Sequence, residues 1–152
     1  MSDLSTQIAQ QLNDAQSKYT YFLLAVAASC IAFAVQRTTG VALSWKDAPL
    51  GVAVFCWGIS FWAGCYNRKY HSTTLYANMA LLQLNDGNHP NQPTHPQMVQ
   101  AAMEAVAYAA ERNSTSANLQ GRWQFRMLIT GAIFFLLWHI IGIATQHPPI
   151  PR

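Results

Sequence analysis

The sequence predicts an all-α integral membrane protein: three transmembrane helices, running up, down and up, that extend into a cytoplasmic helical bundle. Three observations carry that expectation. Met127 to Ala144 are eighteen apolar or small residues with one His, and no Lys, Arg, Asp or Glu stands between Arg126 and Arg152. As a helix this run reaches about 27 Å, close to the hydrocarbon thickness of a bilayer. Two similar runs lie upstream, eighteen uncharged residues over 19–36 and twenty over 48–67. The chain is also 51% hydrophobic and only 10% charged, where a soluble domain carries roughly 25% charged residues. Mean hydropathy is nonetheless just +0.08, so the apolar residues are gathered into segments.

At 152 residues the chain suits a single membrane domain. Its net charge of +3 is small, and no basic run resembles a nucleic-acid face, so no nucleic-acid partner is expected. Cys30, Cys56 and Cys65 all fall inside apolar runs. Their odd number argues against a disulfide framework, and their spacing matches no zinc pattern. They read as small polarizable packing residues.

Residues 1–18 read as an amphipathic cytoplasmic helix. Leu4, Ile8, Leu12, Ala15 and Tyr19 recur at three-and-four spacing, with Gln, Asn and Asp on the other side. This helix runs into the first span, 19–36. A signal peptide is the alternative reading, but Asp3 and Asp14 against Lys18 do not make a positive leading region. Ala27 also sits where a lipoprotein cleavage site would carry a larger aliphatic residue.

The connection 37–47 contains Gly40 as a turn signal and Trp45 as an interfacial anchor. The second span, 48–67, begins with Pro49, which a first helical turn tolerates. A helical extension over 70–86 places Leu75, Met79 and Leu82 on one face and ends at Asn85-Asp86-Gly87, where Gly87 suits the left-handed position after a helix. Residues 87–96 form a proline-rich loop. A second cytoplasmic helix, 97–120, starts near Pro96 with Thr94 or His95 as cap. Its apolar stripe is Val99, Met103, Val106 and Ala110, and the stretch 113–118 with Gly121 weakens it locally. The third span is 127–146, and the tail 147–152 holds too many prolines to be helical.

Lys18, Arg68, Lys69, Arg122 and Arg126 flank the spans on one side; Arg37, Lys46 and Arg152 lie on the other. The positive-inside rule then puts the N-terminus and the helical extensions in the cytoplasm and the C-terminus outside, and a bacterial inner membrane is the expected location. The expected interfacial anchors are Lys18, Arg37, Trp45, Arg68, Lys69, Arg122, Trp123 and Arg126.

His139 is the main polar group within a span, and such a group is a functional hypothesis by default. It suits a pore or proton relay, a neutral imidazole bonded to a neighbouring helix, or haem ligation, although no second His for an axial pair lies in either other span. Ser29, Ser60 and Thr130 join it as candidate lumen residues. His89 and His95 belong to the turn-forming loop. No nucleophile elbow, His-Glu zinc pattern or phosphate loop is found, so neither enzymatic activity nor a catalytic residue, metal or cofactor is expected.

Small residues carry the packing signals: Ala25, Ala28, Ser29 and Ala32 on the first span, Ser60 and Gly64 on the second, and Gly131 and Gly142 on the third. They exceed what three helices need, and homo-oligomerisation is the expectation. The functional expectation is therefore a homo-oligomeric channel or pore-forming effector with a helical cytoplasmic vestibule. The alternative is a membrane anchor or assembly subunit that docks a cytoplasmic protein. If copies of the chain cover the amphipathic stripes, the channel is favoured; stripes left open require a partner.

Overall fold

The computed structural model describes residues 2–40 and 44–146. The tail 147–152 with His147, the stretch 41–43 and the side chain of Leu4 lie outside the described residues. Everything regular among those described is helical: α1 (Ser2–Thr38), a single 3-10 turn (Trp45–Asp47), α2 (Ala48–Asn85) and α3 (Pro96–Gln146). All three long helices have the length and hydropathy needed to cross a membrane.

Helix ends follow local chemistry. After α1, Gly40 takes φ +80°, and after α2, Gly87 takes φ +73°, conformations that cost glycine nothing. The Asp86 and Asn88 amides donate to the carbonyls of Leu82 and Gln83 and close the end of α2. His95 starts α3 by accepting the Met98 and Val99 amides on its carbonyl. The stretch 113–118 does not interrupt α3. Ser116 returns its hydroxyl to the Arg112 carbonyl, so this polar segment satisfies itself within the helix.

The chain divides into two compact units. The first comprises Met1–Gly64 with Arg122–Arg152, the second Cys65–Gly121. In the first unit α2 and α3 are antiparallel, with Asp47 meeting Trp138, Trp57 meeting Leu128 and Ser60 meeting Gln124. α1 runs parallel to α3: Leu24 lies where Gly64 meets Gln124, and Phe33 packs against Phe135 further along.

Leu23, Ala27 and Ala34 from α1, Leu50, Ala53 and Trp57 from α2, and Leu128 from α3 form the buried core. Leu23, Ala27 and Ala34 share one face of α1, and Leu50, Ala53 and Trp57 one face of α2, as their spacing on a helix requires. Outside it stand Phe22, Phe55, Trp62, Ile133, Leu136 and Ile140, all exposed. Such a surface suits hydrocarbon, because a soluble protein rarely leaves so much contiguous apolar area in water.

The second unit is a helical hairpin. The last turns of α2 and the first half of α3 are its arms, with Leu84, Ala110 and Ala117 buried between them.

Candidate functional site

Buried polar groups mark the contact of α2 with α3 in the first unit. Ser60 is 0% exposed and Gln124 1%, and the Ser60 hydroxyl donates to the Gln124 carbonyl at 2.7 Å. One helix turn earlier on α2, the Trp57 indole donates to the Leu128 carbonyl at 3.3 Å. These bonds need short side chains at the crossing. Gly64 provides room for the Gln124 amide and a Leu24 methyl, which would lie 2.5 and 2.7 Å from a Cβ there. Gly131 does the same for Trp57, whose Nε1 would lie 2.5 Å from a Cβ. Close approach of backbones through small residues is the usual route to helix association in lipid. The Gln124 Nε2 has no hydrogen-bond partner in this seam.

The four candidate lumen residues do not come together. Ser60 is sealed inside the α2–α3 contact. Ser29 is exposed on α1 and returns its hydroxyl to the Ala25 carbonyl at 2.8 Å, and Thr130 bonds the Arg126 carbonyl at 2.9 Å. His139 is exposed on α3 and lines a groove of about 360 Å³ between α1 and α3. The small residues also divide. Gly64 and Gly131 serve contacts within the unit, whereas Ala25, Ala28, Ser29 and Ala32 lie exposed and Gly142 faces open space.

Among the flanking residues, Arg37 stacks its guanidinium on Phe33, 5.3 Å from the ring centroid. Lys69 lies over Tyr66 at 5.8 Å. Trp45 is 92% exposed, and Lys18, Arg122, Trp123 and Arg126 are exposed as well, with Arg68 half-buried. Asp47 ties the α2 start to α3. Its Oδ2 accepts the Ser44 amide at 3.0 Å and its Oδ1 the Trp138 indole at 3.1 Å. Those two bonds, the backbone one foremost, hold its carboxyl below the usual carboxylate range.

In the hairpin, Asn67 Nδ2 donates to the Ala117 carbonyl at 2.6 Å, and Gln92 reaches back to the Leu84 carbonyl. His89 folds the loop by accepting the Asn91 amide on Nδ1. His71 is half-buried, and desolvation, with help from the Arg68 charge, lowers its pKa. The α3 stripe of Val99, Met103 and Val106 is half-buried with Ala110 buried, so it turns toward the other arm. The α2 stripe does not. Leu75, Met79 and Leu82 are 53, 56 and 66% exposed, with Tyr76 exposed beside them.

Among the described residues no three His, Cys, Asp or Glu side chains gather as a metal site. The cysteines are free, Cys30 half-buried, Cys56 buried and Cys65 exposed. Sequence reasoning passed over Asn67, Gln124 and the Asp47–Trp138 pair. Asn67 and Gln124 had one legible signal, an uncharged amide at the edge of an apolar run, where a solvated anchor would ordinarily carry charge. Comparison with known proteins finds no family model, no curated protein and no solved structure that matches the chain.

Proposed function

We propose that the chain is an integral membrane protein that serves as a docking platform, presenting the α2 face of its aqueous hairpin to a helix of a protein partner. The observation that carries this reading is the open stripe of Leu75, Met79 and Leu82. An amphipathic face in water finds its stability in a partner rather than in propensity, and three anchors at these spacings fit the groove-and-helix mode of recognition. The three long apolar helices support membrane insertion. The Lys and Arg bias supports an orientation with the N-terminus and hairpin in the cytoplasm and the C-terminus outside.

A second reading, the homo-oligomeric channel, draws on a different observation. Ala25, Ala28, Ser29 and Ala32 leave a small-residue strip of α1 uncovered, a surface on which a second copy can approach closely. In that assembly Ser29 and His139 are exposed polar groups able to face a lumen, whereas Ser60 is buried within the protomer.

A photo-crosslinking side chain at Met79, activated in intact membranes, tests the docking reading, with Glu111 on the other hairpin arm as control. A discrete adduct with a different protein at position 79 alone is the expected result. Adducts at multiples of the chain's own mass would transfer support to the channel, as would a light-scattering mass of four or more chains for the solubilised protein. No adduct at 79 would overturn the docking reading.

A further inference from the structure

We propose that the groove between α1 and α3 is a binding site for an anionic membrane phospholipid. Its walls are aromatic and aliphatic. Phe33 and Phe135 meet edge to face with ring centroids 6.0 Å apart, and Phe135 continues to Trp138 at 5.7 Å. Ile143 and Gly142 complete the lining, and Gly142 leaves open space where a side chain would stand. At about 360 Å³ the cavity is large enough for a small-molecule segment.

Two donors stand among these apolar walls: Arg37 in the last turn of α1 and His139 on α3. Arg37 makes no ion pair among the described residues; Phe33 orients its guanidinium from one side and leaves the fork of N–H groups available. That arrangement matches a phosphate oxygen pair, the partner a planar guanidinium meets with two parallel bonds. The acid that adjoins the groove, Asp47, has both carboxylate oxygens engaged, by the Ser44 amide and the Trp138 indole. It orients Trp138 and makes no ion pair with Arg37 among the described residues.

The location selects the occupant. Arg37 sits at the end of an apolar helix, the depth at which lipid headgroups lie, while Phe33 and Phe135 lie deeper along the helices, alongside acyl chains. A free phosphate would satisfy Arg37 and His139 but leave the aromatic walls bare. A phospholipid covers both, and negative net charge on its headgroup answers the Arg37 guanidinium.

The inference rests on the membrane reading, and the test separates the two. Carbonate-resistant sedimentation of the wild-type chain with membranes checks insertion first. The delipidated, detergent-solubilised protein is then titrated with phosphatidylglycerol, phosphatidylcholine, diacylglycerol or inorganic phosphate and read by native mass spectrometry. The expected order is phosphatidylglycerol first, phosphatidylcholine weaker and diacylglycerol weakest. Arg37→Gln is expected to weaken phosphatidylglycerol binding about tenfold, the size of one charge-assisted contact. Gly142→Leu, which fills the open floor without touching the core, is expected to weaken all three lipids together. Arg122→Gln, an exposed cation outside the groove, is expected to change nothing. Equal loss in Arg37→Gln and Arg122→Gln, equal binding of phosphatidylglycerol and diacylglycerol, or capture of inorganic phosphate as strong as that of the lipid would each overturn the proposal. A chain that inserts yet shows no headgroup preference loses this inference alone; a chain that does not sediment with membranes loses the membrane reading.

Discussion

The Trp57 indole occupies the space beside Gly131 that any other residue's side chain would fill, with Nε1 2.5 Å and Cδ1 2.6 Å from the Cβ position. The Ala53 carbonyl stands 3.0 Å from the same point. A rigid buried ring and a backbone atom cannot both retreat, so α3 must shift to admit even a methyl group. Gly131→Ala is therefore expected to destabilise the protein by about 1–3 kcal/mol, the usual cost of overpacking. Thermal unfolding in detergent measures it. A midpoint equal to wild type would show that the helices do not approach this closely.

Gln124 leads to a prediction of opposite sign. Its side chain is fully buried and its Nε2 finds no acceptor, while the Ser60 bond uses only the Gln124 main chain. An orphaned buried donor costs roughly 1–3 kcal/mol. Gln124→Met keeps the length, removes the donor and leaves the Ser60 contact in place, so the variant is expected to melt higher than wild type. A lower midpoint would mean that the amide has a partner in the membrane.

Asp47 gives a pH dependence. Its folded carboxyl is held low by the Ser44 amide and then by the Trp138 indole, so it contributes stability present above its unfolded pKa. That contribution is lost as pH falls through the folded value. Acidification is expected to shift the Trp138 emission on that limb, and Asp47→Asn, which cannot titrate, is expected to abolish the shift. The two proteins are compared over the same pH range, and an identical response would exclude Asp47 as the group involved.

The hairpin stripe separates stability from recognition. Met79 is more than half exposed, and exposed substitutions away from caps and cavities usually stay within about 0.5 kcal/mol. Met79→Gln is expected to leave the melting temperature unchanged while abolishing the adduct formed by a crosslinker placed at Leu82. A large loss of stability would mean that the stripe already serves the fold.

Segregated hydropathy by itself determined that this chain forms long apolar helices, and where they turn. Uncharged runs of eighteen and twenty residues, Gly40, Gly87 and the proline loop carry that information locally, and the helices end where those signals stand. The sequence also marked Gly64 and Gly131 as small residues.

Only the tertiary structure decided which face of each apolar helix turns inward. A run that is apolar all round has no amphipathic phase, so Ala27 and Ala34 could not be distinguished from Ala25, Ala28 and Ala32. Contacts tens of residues away made the choice: Trp57 against Gly131, Ser60 against Gln124, and Asp47 against Trp138. The same holds for the polar groups. Ser29, Ser60, Thr130 and His139 look alike along the chain, and the crossing of α2 with α3 buries Ser60 while leaving Ser29 and His139 outside. In water-exposed helices the need to hide apolar atoms writes that phase into the residue order. In a lipid-facing helix hydrocarbon solvates every face equally well, and close packing alone selects it.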